Sequence, residues 1–406
     1  MNLLILTTTF PKSIEDYSTP RFVHDLSLSL AERGYNIIVL TPDRPNSKKM
    51  NEIVSDSYQI HRFRYFFKKK QFLTTGEGIL PIIKKSKSTI LLIPFLIFAQ
   101  FLATLRIMKK YRIDIINSHW LVPSGLIGAL IQKILGKKNY VTIHAAGLHL
   151  LERIPLGSVI ARFIYNNSTR IFVVSNFGKK RLYRLLINPK RETFDKKVNV
   201  SPMGANIKIM EDEIEKKCFK ENTFNVLFIG RIVEKKGLQF AINAFSKIND
   251  KDVYFHICGD GPLKEKLKQS VIDMNQAEKI VFYGKISEER KIKFLNSADI
   301  LLVPSIETNE GDKEGLPVVI LEALSTGLPI VATNVGGIED GVINNYTGLL
   351  IEQKNEQEIT KSILYLKNNP KLLKELSNNC KKYATNFEWK NIAYRYDTII
   401  RESLKE

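Results

Sequence analysis

Cysteine is scarce in this chain. There are three in 406 residues, Cys218, Cys258 and Cys380, far apart and with no Cys-x2-Cys spacing. That argues against a disulfide framework and a cysteine-built zinc site, and it fits a reducing cytoplasm. The opening MNLLILTTTF lacks a basic n-region and a small-residue cleavage site, so it reads as a first buried strand and not as a secretory leader. Long apolar runs are missing too, with one exception. Thr89 to Leu105, interrupted by Pro94 and Gln100, is 17 residues long, at the short limit for a bilayer span. Acidic residues are short in one half only. Residues 1–205 hold 32 Lys/Arg against 12 Asp/Glu, whereas residues 206–406 hold 29 against 30. The net charge of +19 is therefore carried by the first half. A basic half suits an anionic partner: nucleic acid, an anionic lipid surface or a phosphorylated substrate.

At 406 residues, 44% hydrophobic and 25% charged, the chain is globular in composition and too long for one ordinary core, so two domains are expected. Asn2 to Thr9 is apolar and β-prone. Phe22 to Arg33 has apolar residues at helical spacing and closes at Gly34, and Asn36 to Leu40 is the next strand. This β-α-β unit predicts a parallel sheet. Further strands are expected at Ile113–Asn117, Tyr140–Ile143, Ile171–Val174 and Val198–Val200. Their tips are polar: Ser118-His119-Trp120, His144, Ser175 and Ser201. The charged segment 206–222 reads as a linker. The rhythm then restarts with strands at Asn225–Ile229, Val253–Cys258, Ile280–Tyr283, Ile300–Val303 and Pro329–Thr333, closed by Leu349-Leu350. The expected fold is α/β, two doubly wound Rossmann-like domains whose strand-end loops face a common cleft.

Residues 61–88 interleave cations with aromatics: His61, Arg62, Phe63, Arg64, Tyr65, Phe66, Phe67, Lys68, Lys69, Lys70, then Lys84, Lys85 and Lys87. The apolar run behind them ends at Arg106, Lys109, Lys110 and Arg112. Three readings stand: a core helix, a helix lying on a membrane surface with basic flanks on anionic headgroups, or a bilayer span.

The chemistry-bearing stretch is Glu314 to Glu322, EGLPVVILE. A Gly-x-Pro turn running into apolar residues reads as a loop entering a helix, with Pro317 in the first turn. Glu314 then sits at the helix mouth and Glu322 about two turns in. The helix N-terminus offers a phosphate site, and the carboxylates can accept hydrogen bonds from sugar or ribose hydroxyls. Read alone, the pair is more simply two solvated glutamates on a surface helix, since Glu-x7-Glu recurs often by chance. Four loops of the second half supply the rest. GRIVEKKG carries Gly230, Arg231 and Lys236, two cations that can flank a diphosphate. Gly259-Asp260-Gly261-Pro262 is a sharp strand-to-helix turn. The acid-rich loop 305–314 follows, and Gly336-Gly337 permits close backbone approach.

Taken in order, GRIVEKKG, GDGP, Phe282-x-Gly284, ADILLVPS, EGLPVVILEALSTGLPIVAT and VGG closely resemble family 4 retaining glycosyltransferases of GT-B fold. FVHDLSLSLAERGYNIIVLTP, SHWLVPSGL, VVSNF, SPMGANI and FEWKNIAYRYDTII extend the resemblance over nearly the whole chain, towards the subset that makes bacterial surface polysaccharides and lipid-linked sugars. The resemblance implies an acceptor-binding domain over 1–205, a nucleotide-sugar domain over 206–385, and a helix over 386–406 crossing back to the first. It implies that Arg231 and Lys236 hold the donor diphosphate, with Gly230, Gly259 and Gly261 shaping their loops. Glu314 would take the sugar hydroxyls, Glu322 the ribose, and the stretch Gly315, Leu316, Pro317 and Val318 the phosphate. His144 would lie near the sugar, and Ser18, Thr19, His119 and Trp120 would belong to the acceptor side. Cationic side chains would do a metal's electrostatic work, and the loops named contain no Asp-x-Asp triplet, so no metal or other cofactor is expected. The partners implied are a UDP- or GDP-sugar, a lipid-linked or glycan acceptor and an anionic membrane surface, with the protein peripheral on the inner face of the cell membrane. There are departures. The usual His-Gly-x-Asp reads His144-Ala145-Ala146-Gly147, Glu339-Asp340 replaces a Pro-Glu pair, and Ser18-Thr19 stand where a glycine pair is usual.

Two other classes compete. A sugar-nucleotide epimerase would share the fold but would not need a basic, aromatic first domain. A membrane- or nucleic-acid-binding module would use residues 61–88 and leave the carboxylate pair idle. The transferase reading is the one that uses all the motifs.

Overall fold

The computed structural model describes residues 1–16, 19–44, 49–74, 79, 82–83, 86–205 and 218–406. The chain forms two compact units, one of Met1–Gly204 with Trp389–Glu406 and one of Ala205–Glu388. The second unit thus starts one residue before the expected boundary and runs three residues past it. The expected linker falls largely outside the described residues.

In the first unit the described strands are β1 (Asn2–Leu6), β2 (Asn36–Pro42), β3 (Asn51–Ser55), β4 (Tyr58–Phe63), β5 (Ile115–His119), β6 (Asn139–Ile143), β7 (Arg170–Val173) and β8 (Val198–Val200). They form one sheet ordered β3-β4-β2-β1-β5-β6-β7-β8, parallel except for β3 against β4. Buried apolar residues line both faces of β1: Leu3 and Ile5 pack one way, Leu4 and Leu6 the other. A near-continuous apolar strand is what a parallel sheet covered on both faces requires.

The β3-β4 hairpin went unread in the sequence, and it changes the meaning of the basic stretch. Arg62, on β4, is buried and pairs with Glu52 on β3 at 2.5 Å, so it is not a surface cation. The apolar run also proves longer than expected. A 3-10 turn over Lys87–Leu92 leads into an α-helix over Ile93–Tyr111, which carries Arg106, Lys109 and Lys110 in its later turns.

The helix Trp389–Lys405 completes the first unit, packed on helix Phe22–Ala31. Tyr396 stacks on Phe172 with ring centroids 3.9 Å apart. Asp397 accepts hydrogen bonds from Tyr35 Oη at 2.7 Å, Arg33 Nη2 at 2.9 Å and Arg401 Nε at 2.6 Å. Burial opposes its charge, but these three donors win and hold its carboxyl below the usual range.

The second unit has β9 (Phe224–Ile229), β10 (Val253–Cys258), β11 (Ile280–Gly284), β12 (Ile300–Val303), β13 (Ile330–Thr333) and β14 (Gly348–Ile351). All are parallel, in the order β11-β10-β9-β12-β13-β14. Helices cover both faces in two apolar layers. The order reverses between β9 and β12, and in the first unit between β1 and β5. Loops leaving the carboxyl ends of those strand pairs diverge to opposite faces and open a crevice.

Four buried histidines are held neutral. Burial lowers His24 and His256 to about 4 and His144 to about 3, and lowers His119 well below its usual value. His24 bonds Tyr58 Oη at 2.8 Å, and His256 bonds Tyr283 Oη and Asn225 Oδ1, both at 3.0 Å.

Two predictions follow from this packing. Asp397→Ala strands the buried Tyr35 hydroxyl and should cost about 2 kcal/mol in urea unfolding, with a smaller cost when Tyr35→Phe is already present. The histidines bind protons in the unfolded chain below about pH 6.5 but in the folded chain only near pH 4 or lower. The unfolded state therefore binds more protons in that window. Stability should fall as pH drops below 6.5, by about 1.4 kcal/mol per pH unit for each histidine. Denaturant titrations at pH 7.5, 6 and 5 read this slope, and a flat profile would contradict it.

Candidate active site

In the second unit the candidate residues gather at the carboxyl ends of β9 and β12. Arg231 follows Gly230 directly after β9. It is exposed, and its guanidinium makes no hydrogen bond or ion pair among the described residues. The loop continues into a short 3-10 turn, Glu234–Lys236, closed by Gly237. Gly237 has φ +62°, and a β-carbon there would lie 1.9 Å from the Pro304 carbonyl oxygen. This close approach fixes the two-lysine turn against the end of β12, and Ile306 N–H bonds the Lys235 carbonyl at 2.8 Å. Lys236 runs alongside Gly230, where an added β-carbon would lie at ordinary contact distance, 3.5 Å from Lys236 Cε.

Glu314 meets this turn. Its Oε1 lies 3.4 Å from Lys236 Nζ and 3.6 Å from Lys235 Nζ. Burial works against its charge, yet Lys236 and Lys235 hold its carboxyl below the ordinary value. The Oε1 atom is buried and has no hydrogen-bond partner among the described residues. A buried carboxylate held ionised by two lysines, with no well-aligned hydrogen bond to Oε1 among the described residues, is an arrangement suited to take a ligand hydroxyl. Its backbone is pinned from behind: Gly337 N–H bonds the Glu314 carbonyl at 3.2 Å, and a β-carbon on Gly336, at φ +67°, would lie 2.1 Å from the same oxygen.

Gly315 and Leu316 lead from Glu314 into the helix Val318–Thr326. Pro317 is the N-cap and not a first-turn residue as expected, with ψ 131°. Extended backbone at the cap aims the first N–H groups, Val318 included, out of the helix. Leu316 is partly buried against the core, and Val318 is exposed.

Glu322 lies inside that helix, just past its first turn. It is tied by Lys291 Nζ at 2.6 Å, and Lys291 is also tied to Glu288. Burial outweighs that lysine and raises its carboxyl above the ordinary value. Gly259 and Gly261 also turn inward. Gly259 N–H bonds the Gly284 carbonyl at 2.8 Å and Gly261 N–H bonds Asp260 Oδ1 at 2.8 Å, so these glycines shape the loop and their amides are already occupied. Gly230 N–H likewise bonds the Cys258 carbonyl. An Asp-x-Asp triplet does occur in the chain, Asp250-Lys251-Asp252. It precedes β10, at the amino ends of the strands, and Asp250 is held by Lys367.

In the first unit His119 ends β5 and His144 follows β6 as the N-cap of helix Ala145–Arg153. His119 Nδ1 and His144 Nε2 are 3.2 Å apart. Both rings are neutral, so one donates and the other accepts. His144 is thus partnered by a second histidine. Trp120, at φ +67°, makes a tilted ring contact with His144 at 4.5 Å, and Phe22 adjoins both rings, 4.9 Å from His144 and 5.9 Å from Trp120. Thr19 is buried in a network instead of offering its hydroxyl. It bonds Asp16 Oδ2 at 3.1 Å and accepts from Arg44 Nη1 at 3.0 Å. Ser18 lies outside the described residues. Lys235, Lys291, Phe22 and Arg44 were not read from the sequence. Lys235 had a local signal, the doubled lysine of GRIVEKKG, whereas the other three meet their partners through the tertiary fold.

The sequence matches the family described as Glycosyltransferase Family 4 over residues 19–193 and that described as Glycosyl transferases group 1 over residues 210–387. An uncharacterized glycosyltransferase of Methanocaldococcus jannaschii is 31% identical over 284 residues, 70% of this chain and 74% of that one. The UDP-Gal:alpha-D-GlcNAc-diphosphoundecaprenol alpha-1,3-galactosyltransferase of Escherichia coli is 28% identical over 311 residues, 72% of this chain and 76% of that one. Among solved structures, sucrose-phosphate synthase from Thermosynechococcus elongatus is similar over 100% of this chain and 99% of its own, with a TM-score of 0.78 at 18% identity, a likeness of fold. The two parallel-sheet units, the site at the end of β9 and these matches agree: the chain belongs to the group 1 and family 4 glycosyltransferases, with the GT-B fold.

Proposed function

We propose that this glycosyltransferase moves a hexose or N-acetylhexosamine from a UDP- or GDP-linked donor to a lipid-linked glycan acceptor, with retention of configuration and without a metal. The observation that carries the proposal is the buried Glu314 carboxylate, kept charged by two lysines at a helix mouth. The acceptor class is supported by the name of the Escherichia coli relative.

The donor diphosphate would sit at the N-terminus of helix Val318–Thr326, between the exposed Arg231 guanidinium and Lys236. Glu314 would accept from the sugar hydroxyls. In the reaction the bond from the anomeric carbon to the phosphate oxygen breaks, and the electron pair leaves with the nucleoside diphosphate. Arg231 and Lys236 stabilise that developing charge where a metal would otherwise do so. The acceptor hydroxyl bonds to the anomeric carbon on the face the phosphate leaves, and its proton passes to the departing phosphate oxygen.

UDP- and GDP-sugars screened by thermal shift in the presence of a chelator should give a selective hit, about 2.7 kcal/mol at a hundred times the dissociation constant. A hit that appears only with added divalent metal would refute the metal-free reading. Arg231→Ala and Glu314→Ala should each lower kcat/KM about a hundredfold or more. In Lys236→Ala the burial of Glu314 is less opposed, so its carboxyl pKa rises. The acid limb of the pH–rate profile should then move to higher pH, and an unmoved limb would separate Glu314 from catalysis.

A further inference from the structure

Two lysines face one carboxylate in the second unit. Lys236 Nζ lies 3.4 Å from Glu314 Oε1, and Lys235 Nζ lies 3.6 Å from the same atom. Among the described residues these are the cations that face Glu314, and Asp312 faces it across Lys235, 3.5 Å from its Nζ. The two lysines are not equivalent. Lys236 is the more enclosed, and its chain runs beside Gly230, which precedes Arg231. Lys235 is the more open, and it ties Glu314 to the acid-rich loop 305–314.

That loop is built to keep Asp312 in place. Thr308 N–H donates to the Asp312 carbonyl at 3.1 Å, and Asp312 N–H donates to Thr308 Oγ1 at 3.1 Å. Gly311, at φ +73°, makes the turn between them. Lys313 pairs with Glu307 at 2.7 Å, and Glu307 N–H bonds Gln353 Oε1 at 2.8 Å. Ile306 N–H bonds the Lys235 carbonyl, so the loop and the two-lysine turn are held together at both backbone and side chain.

We propose that the two lysines divide the donor between them: Lys236 leaves Glu314 for the diphosphate, and Lys235 stays on Glu314 as its counter-ion and positioning residue. This division rests on the donor site proposed above. An ammonium shared between a buried carboxylate and a diphosphate serves each less well, because the charge left without it is buried. The diphosphate also brings negative charge towards Glu314, and a like charge disfavours an ionised carboxylate. With no second cation Glu314 takes up a proton as the donor binds, and its acceptor capacity for sugar hydroxyls falls. Lys235 prevents this. Asp312 draws on the same ammonium, so it sets how firmly Lys235 holds Glu314.

The test is calorimetric titration of the full chain with UDP, GDP and their glucose-, galactose- and N-acetylglucosamine-linked forms, at pH 7.5 and pH 5.5. The quantity read is the sugar ratio, the Kd of the bare nucleoside diphosphate over that of its sugar-linked form. Lys235→Gln should lower the ratio about tenfold, a partly exposed pair being worth less than a buried one. It should change bare-diphosphate affinity far less. Lys236→Ala should do the reverse, and Lys235→Arg should restore the ratio. An ionised Glu314 is lost as pH falls, so the drop in ratio between pH 7.5 and 5.5 should be larger in Lys235→Gln than in the unmodified protein. Asp312→Asn frees Lys235 and should raise the ratio, the opposite sign to Lys235→Gln. A lysine that merely braces the loop would give a loss in both variants, with no dependence on pH. Three outcomes overturn the division: an unchanged ratio in Lys235→Gln, Lys235→Gln and Lys236→Ala weakening the same step equally, or Asp312→Asn losing as much as Lys235→Gln. If neither bare nor sugar-linked nucleotides bind the unmodified protein, the donor site itself falls and the division falls with it.

Discussion

Both units depend on the place where a parallel sheet reverses its strand order. Beside β9 the chain goes one way to β10 and the other way to β12, and the loops at those carboxyl ends cannot cover one another. The polar groups that follow β9 and β12 are therefore left in a crevice. The sheet supplies rigidity from its apolar strands, and the loops supply chemistry with little core of their own. The first unit obeys the same constraint between β1 and β5, which is why His119 comes to lie at a strand end beside His144.

Within that frame the decisive electrostatic fact is a carboxylate that remains charged while buried. Isolated burial would neutralise Glu314. The Lys235-Lys236 turn prevents it, and that turn is locked against Pro304 by a residue without a side chain. Glu322, just over one turn into the helix that follows, shows the opposite balance: one shared lysine does not overcome burial, and its carboxyl is pushed up. Two glutamates eight residues apart thus have different chemistry, set by how many cations face each one and not by their own sequence context.

That contrast explains what could be read in advance. Strand and helix identity was legible because apolar period and glycine punctuation are local, as in NIIVL before Thr41 or the helix stop at Gly327. Glu314, Arg231 and Lys236 were legible because they recur in ordered loops. Lys291 on Glu322, Asp16 and Arg44 on Thr19, and Glu52 on Arg62 were not, since each joins residues from separate elements whose meeting depends on register. The β3-β4 hairpin was hidden by its own polarity: β3 alternates exposed and half-buried residues at the sheet edge and carries no apolar run. The histidine partner of His144 was hidden by expectation of an acid.

The charge asymmetry of the two halves looks different once the pairs are known. Much of the first unit's positive charge is committed internally. Arg33 holds Asp397, Arg44 holds Asp16, Arg62 holds Glu52, and Arg64 leans on the buried Asp43. These arginines serve the fold, which suits a planar, always charged group. The cations on the outer face of the 87–111 segment and the 68–70 turn are mainly lysines on exposed backbone. Lysine is the more strongly hydrated cation and keeps its charge in water on a flexible stem, the property needed at a wet, variable surface and not in a core. Arg44 and Arg62 are buried in pairs while Lys68, Lys69 and Lys70 stand exposed, so the basic half is not simply a solubility coat.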